Sequence, residues 1–371
     1  DPQAAGPDPA LIAASVQPGA PTPSAAPADD PPGQKRRSPP LGQRVLRLFL
    51  YQRELTPILI TAGLFVYFTI RAGSTFTAQL SLSSAAGYAG PIGAIAVGEV
   101  LLLVLAEIDL SAGQVFLFSA WVNWWLYSEG LPVWLSMLLA LVVCCGVGAI
   151  NGLITVRLNV PSFVTTLAMN FILYGLVLIY SNYTQASPIP LSQYASQSGR
   201  VSFAGQVMGV WQWSEILWVL AITIVAHVLL TRTRFGVRII STGGNLVGAA
   251  EAGVPVNRVK VWAFVLCSFF AGLVGIVDSV KYGSLDPGNF GVDYILYAVG
   301  ACVIGGTALT GGRGTVIGAF IGAILIGILE DGLTLIGVST NDFFVWVGVV
   351  IIFAMALNVQ FDRMIARSRA A

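Results

Sequence analysis

From Leu55 onward the chain is a succession of apolar runs separated by short polar punctuation, as in "LTPILITAGLFVYFTI", "AAGYAGPIGAIAVGEVLLLVLA" and "VWLSMLLALVVCCGVGAINGLITV". A helix needs about 20 apolar residues to cross roughly 30 Å of hydrocarbon. A membrane-crossing β-barrel would instead alternate apolar and polar positions in segments of about ten residues, and these runs do not alternate. The pattern predicts ten spans: Leu55–Ile70, Ala86–Ala106, Gly113–Tyr127, Val133–Val156, Phe163–Tyr180, Trp213–Leu230, Val261–Val280, Tyr294–Leu309, Gly314–Ile336 and Phe343–Asn358. The first and eighth are short for a full crossing and read as tilted, interrupted or mis-bounded. The expected fold class is all-α, a polytopic integral membrane bundle of about ten transmembrane helices.

The polar punctuation orients the bundle. Lys and Arg collect on the cytoplasmic side of membrane proteins. With ten spans and a cytoplasmic N-terminus, all but Arg71, Arg200 and Lys281 of the 19 Lys and Arg fall inside. Both termini are therefore expected to be cytoplasmic. Residues 1–40 are rich in Pro and Ala and too poor in large apolar residues to bury a core, so they read as a disordered tail. Residues 41–362 read as the membrane domain, and 363–371 as a short basic tail. Gln43 to Glu54 mixes Arg44, Arg47 and Arg53 with apolar residues. It reads equally as a helix lying flat at the inner interface or as an extension of the first span.

Composition then narrows the function classes. Of 371 residues, 56% are hydrophobic and only 10% charged, against about 25% charged in soluble domains. The net charge of +1 says nothing about partners, and no nucleic-acid partner is expected. Cys144, Cys145, Cys267 and Cys302 lie in apolar runs without C-x-x-C spacing, and the single His227 lies in an apolar segment. No catalytic constellation, metal site or cofactor site is expected.

Candidate sites are few. Gly314, Gly318 and Gly322 recur every four residues in an apolar run, a spacing that strips side chains from one helix face and admits another helix. The surrounding stretch "CVIGGTALTGGRGTVIGAF" lacks the lysine and the spacing of a phosphate-gripping P-loop. Glu99 stands mid-span, where a charge costs about 2.5–3.5 kcal/mol on insertion scales. It is expected to face the protein interior, preferentially as an interhelical hydrogen-bond partner, with a proton or substrate contact as the other reading. Glu99 and Asn170 are the candidates for a translocation path. Asp109 or Ser111 can cap the helix that follows, and Gly113 lets it pack closely. Pro161 marks a helix start, and Thr165 and Thr166 can bond to backbone or across helices.

The longest cytoplasmic loop, 231–260, is basic. Gly243-Gly244-Asn245 reads as a turn, with Asn245 capping a two-turn helix over Leu246 to Gly253. Leu246, Val247 and Val254 would give that helix an apolar face for a partner's groove.

As a set, "EIDLSAG", "VPSFVTTLA", "TRFGVRIISTGGN", "VIGGTALTGGRGTVIGA" and "DGLTLIGV" resemble the permease subunits of bacterial monosaccharide ATP-binding-cassette importers of the ribose/xylose/galactose type, with "AEIDLS", "VPSF" and "GGNL" most like the xylose-type members. The resemblance covers roughly Ala78 to Asn358. It implies a multi-pass bacterial plasma-membrane protein with no ATPase of its own. It would import a monosaccharide, a pentose such as xylose being favoured. Its partners would be a cytoplasmic ATP-binding subunit, an extracytoplasmic sugar-binding protein and a second permease copy as a homodimer. It also implies that spans two to five and seven to ten are inverted repeats. The 231–260 loop would couple to the ATPase through Arg234, Arg238, Gly243, Gly244, Asn245, Ala249, Glu251 and Gly253. The sequence departs from the family pattern at Val247 and Ala250, where an acid and an arginine are usual, and lacks the two extra spans of some xylose-type members. The alternative is a proton-coupled secondary transporter of a small polar solute. Its intramembrane acids would be Glu99 and Asp278, with no buried Lys or Arg beside them. A membrane enzyme acting on lipid-linked sugars would need clustered acids or histidines at one membrane face, and the outer loops hold only scattered ones.

Overall fold

In lipid each backbone N–H and C=O must be satisfied within its own segment, so an apolar run can only become a helix. Each of the ten predicted spans carries one. The computed structural model describes residues 54–182, 186, 213–282, 285–288 and 291–370, all within the unit Leu46–Ala371. The tail 1–40, the basic segment 43–53 and most of the outer loop 181–212 lie outside the described residues.

The helices are α1 Leu55–Ala72, α2 Gln79–Val104, α3 Ala112–Ser128, α4 Val133–Arg157, α5 Ser162–Ser181, α6 Ser214–Arg232, α7 Arg234–Gly244, α8 Leu246–Glu251, α9 Val256–Tyr282, α10 Val292–Ile304, α11 Val316–Leu335 and α12 Thr340–Ala370. Seven are long and apolar enough to cross a bilayer: α1, α2, α4, α5, α6, α9 and α11. Two shorter apolar helices lie at Val292–Ile304 and Asp342–Leu357. Among the described residues the only β pairing is an isolated bridge between Ala186 and Leu285. The chain is a polytopic helical membrane protein. The residues read as a separate tail from 363 continue α12 helically to Ala370.

Three helix starts share one device. Thr233, Asn245 and Thr315 each accept, through the side-chain oxygen, the N–H of a glycine three residues on: Gly236, Gly248 and Gly318. A capping oxygen satisfies a donor that the first turn leaves orphaned. Pro132 and Pro161 stand directly before α4 and α5.

α2 is the centre of the bundle and is buried along most of its length. Small residues allow this. A Cβ on Gly98 would lie 2.9 Å from the Cα of Cys267 in α9. Around α2 the packing repeats. α2 pairs most extensively with α11, and α4 equally with α9; α10 lies on α2 as α3 lies on α9; α3–α4 is matched by α10–α11, and α3–α5 by α10–α12. Replacing each helix by the one five spans later converts the first contact set into the second. An odd offset reverses membrane direction, so this is the contact pattern of inverted repeats.

Two helices do not cross in full: α10, the eighth span, already short in sequence, and α3, for which a full crossing is expected. α3 and α10 begin part-way across the bundle: a Cβ on Gly113 would meet the backbone of Gly291, and one on Gly291 the backbone of Gly113. The Gly291 N–H also donates to Gln114 Oε1 at 2.9 Å. Oppositely directed helices whose N-termini touch cannot both start at a membrane surface. The 13 residues of α10 reach only about 20 Å at 1.5 Å per residue. The eighth span, expected to run to Leu309, ends at Ile304 because Gly306 adopts φ +84° and the chain turns. Hydropathy misses this because a segment buried in protein is as apolar as one facing lipid.

Candidate functional site

Two polar regions interrupt the apolar bundle, one toward the expected inner side and one toward the outer. The inner one is the turn between α2 and α3. Four successive N–H groups there have no helical partner and are satisfied by side chains. The Ile108 N–H donates to Ser162 Oγ at 3.2 Å, that of Asp109 to both Glu99 oxygens at 3.2 and 3.4 Å, that of Leu110 to Thr166 Oγ1 at 3.0 Å, and that of Ser111 to Asp109 Oδ1 at 2.9 Å. Ser111 Oγ and Asn151 Nδ2 then bond each other at 2.8 Å.

Glu99 is thus fully buried and hydrogen-bonded, as its position predicts, but its main partner is a backbone turn rather than a distant helix; Cys267 Sγ of α9 is 3.6 Å away. Ser111 caps α3 by position but makes no side-chain cap bond. Asp109 supplies the acceptor two residues earlier. Thr166 bonds both back, to the Ser162 carbonyl at 2.8 Å, and across to Leu110. Thr165 Oγ1 has no hydrogen-bond partner among the described residues. Asn170 is fully buried on α5, and neither of its amide atoms has a hydrogen-bond partner among the described residues.

The outer region is a cavity of about 530 Å³. It is lined by Gly87, Tyr88, Pro91 and Ile92 of α2, Asp278 of α9, Gly288, Asp293, Tyr294 and Tyr297 at the start of α10, and Glu330 of α11. Carboxylates and phenols make up much of its wall, Pro91 and Ile92 add aliphatic surface, and among the described residues no Lys or Arg lines it. Behind Asp278 lies an ion pair, Lys281 Nζ to Glu215 Oε2 at 2.8 Å, with Glu215 almost wholly buried. Gly87 and Gly90 make the room: a Cβ on Gly87 would meet the Lys281 ammonium, and one on Gly90 would lie 2.8 Å from Glu215 Cβ. Nearby, Ser81 donates to Asp331 and joins α2 to α11. These groups correct the expectation of two isolated intramembrane acids. Lys281 stands beside Asp278 and Glu215, while Glu330 and Asp331 are further acids in the α11 span. Charge alone could have flagged them, since Glu330-Asp331 falls inside the predicted ninth span.

On the inner face α7 turns the chain along the bundle, burying Gly236, Ile239 and Thr242 and exposing Arg234 and Arg238. Gly243 and Gly244 are its last two helical residues, not the expected turn. Gly243 has a packing role: a Cβ there would collide with the Val104 carbonyl at the end of α2. That carbonyl accepts the Gly312 N–H at 2.8 Å. Asn245 caps α8 through a 2.9 Å bond from Gly248, as its sequence position predicts. α8 is shorter than expected, ending at Glu251, and Gly253 follows at φ +82°. Ala249 is buried, Val254 is half-buried, and Leu246, Val247 and Glu251 are exposed. Glu107 and Lys260 pair across the base of α9.

Of the spaced glycines, Gly318 and Gly322 lie on α11 against α10: a Cβ on them would meet the Gly305 and Ala301 carbonyls respectively. Gly314 precedes the helix and packs on Val104 and Thr307.

Comparison with known proteins matches residues 81–357 to a family described as branched-chain amino acid transport system / permease component. The chain is similar to the xylose/arabinose import permease protein XylH of Sulfolobus acidocaldarius, 33% identical over 86% of this chain and 87% of that one. It is similar to the galactose/methyl galactoside import permease protein MglC of Escherichia coli K12, 36% identical over 76% and 88%. The ribose import permease protein RbsC of the same strain is 32% identical over 71% and 81%. No solved structure matches.

Proposed function

This chain belongs to the branched-chain amino acid transport system permease family, and from that premise we propose that it is the membrane subunit of an ATP-driven monosaccharide importer in a bacterial plasma membrane. The observation that carries the reading is the similarity, along most of the chain, to three relatives named as sugar import permeases. The cavity agrees with a sugar better than with a branched-chain amino acid. Among the described residues its lining offers carboxylates as acceptors for hydroxyls and aromatic faces for a ring, and no Lys or Arg as a cation for an α-carboxylate. A pentose is favoured, because the xylose/arabinose permease aligns over the greatest share of this chain among these three.

ATP hydrolysis belongs to a separate cytoplasmic subunit, since this sequence contains no P-loop. An extracytoplasmic sugar-binding protein delivers the substrate, and a second copy of the permease completes the membrane part as a homodimer. The 231–260 segment couples to the ATPase through Arg234, Arg238 and the exposed tip of α8. The test is uptake of labelled D-xylose, D-ribose and D-galactose into proteoliposomes holding the permease, its ATPase and its binding protein. Accumulation that requires internal-side ATP and ignores a protonophore is expected. Accumulation that needs no ATP and collapses with the protonophore would overturn the reading in favour of proton coupling.

A further inference from the structure

We propose that the outer cavity is a saccharide subsite within the permease itself, with Asp278 and Glu330 as hydroxyl acceptors and Tyr294 and Tyr297 as the apolar wall. This rests on the transport reading above and assigns residues to it. Four observations converge. The cavity's volume of about 530 Å³ lies in the range of small-molecule sites, about 300–1,000 Å³. Asp278 of α9 and Glu330 of α11 both line it, so carboxylates enter the wall from two different helices. Pro91 has no N–H, which leaves the carbonyl of Gly87, four residues earlier, without its helical donor, and both residues line the cavity. Finally, the cavity lies at the N-terminus of α10, a helix that starts inside the bundle. Interrupted helices of this kind frame substrate sites in transporters.

The arrangement of charge selects the ligand class. A metal ion needs oxygens converging on one point, and no such cluster of three His, Cys, Asp or Glu exists among the described residues. The acceptors are instead spread over α2, α9 and α11 around an open space. A ring carrying several hydroxyls matches that spacing. Its O–H groups donate to carboxylate and carbonyl oxygens, while its C–H face lies on a tyrosine ring. Tyr294 and Tyr297 are three apart on α10 and share a face. Each is backed by other rings: Phe116 lies 5.0 Å from Tyr294, and Phe343 lies 5.7 Å from Tyr297, between ring centroids.

The experiment reads occupancy rather than transport, so the two claims fail separately. Asp293 lies at the rim and is exposed. None of the four native cysteines lines the cavity. Asp293→Cys in the assembled complex is labelled with a membrane-impermeant maleimide, with and without D-xylose, D-ribose, D-galactose or L-leucine. At least one sugar should slow labelling, and L-leucine should not. Adding Asp278→Asn should weaken that protection about tenfold, the loss of one charged hydrogen bond. Glu330→Gln, on a different helix, makes the same prediction if the Asp278 variant fails to assemble. Protection that is absent for every sugar, or that persists unchanged in both variants, overturns the subsite. Sugar protection in a complex that does not import sugar upholds the subsite and overturns the transport reading.

Discussion

A carboxylate inside an apolar helix is tolerated when its oxygens have work, and Glu99 has it. Its two oxygens hold the Asp109 N–H at the point where α2 gives way to a buried turn. Removing the acceptor strands a buried donor, at about 1–3 kcal/mol. Glu99→Leu is therefore expected to lower the melting temperature of the detergent-purified protein clearly, whereas Glu99→Gln, which keeps a carbonyl acceptor, should lower it less. Equal losses would assign the role to the charge instead of the hydrogen bond. The same logic covers Ser162 and Thr166, which accept the N–H groups on either side. From the sequence, Glu99 was recognisable as buried and bonded. The identity of its partner was not, because the turn returns to α2 only after the chain has folded back.

Helices meet here where side chains are missing. Gly318 and Gly322 bring α11 onto the carbonyls of α10, and the facing backbone cannot yield to a methyl group. Gly318→Leu adds several atoms to a contact without space, and overpacking costs about 1–3 kcal/mol. Loss of the monodisperse peak in size-exclusion chromatography is expected for Gly318→Leu and not for Gly175→Ala, whose added Cβ would meet nothing within 4 Å. On the inner face, the buried position of Ala249 moves the contact surface to its exposed neighbours. Under the coupling proposal Val247→Cys should form a cross-link to the ATPase subunit and Ala249→Cys should not. Failure of Val247→Cys, together with every exposed position from Asn245 to Gly253, in a complex that still imports would remove α8 from coupling. Gly243 is the element's internal contact: with Val104 and Gly312 it joins α7 to the ends of α2 and α11 through backbone alone. Movement of α7 would reach the bundle centre through that junction.

For the molecule as a whole, the paired contact sets around α2 place the two interrupted helices at the pseudosymmetric centre, where Gly113 touches Gly291. The outer cavity, at the start of α10, reaches inward along α2 as far as Ile92. Import energised by ATP and insensitive to a protonophore is the outcome expected at this scale, as set out with the proposed function. The glycine spacing and the capping residue Asn245 were legible because helix periodicity and helix ends are local properties. The cavity was not legible: Tyr88, Asp278, Tyr294 and Glu330 come from four helices, with Tyr88 and Glu330 at opposite ends of the membrane domain's sequence, and although Asp278 and Glu330 stand out as intramembrane acids, nothing local says that the four meet.

The sequence by itself determined the class of fold and the placement of ten helices, because lipid leaves the backbone of an apolar run no other way to satisfy its polar groups. It also carried the motif set whose family the comparisons identify. Only the tertiary structure decided that α3 and α10 start inside the bundle, that Lys281 and Glu215 pair behind Asp278, and that Gly243 and Ala249 face inward. Hydropathy measures how apolar a segment is but not what it faces, and a helix surrounded by protein is indistinguishable in that measure from one surrounded by lipid.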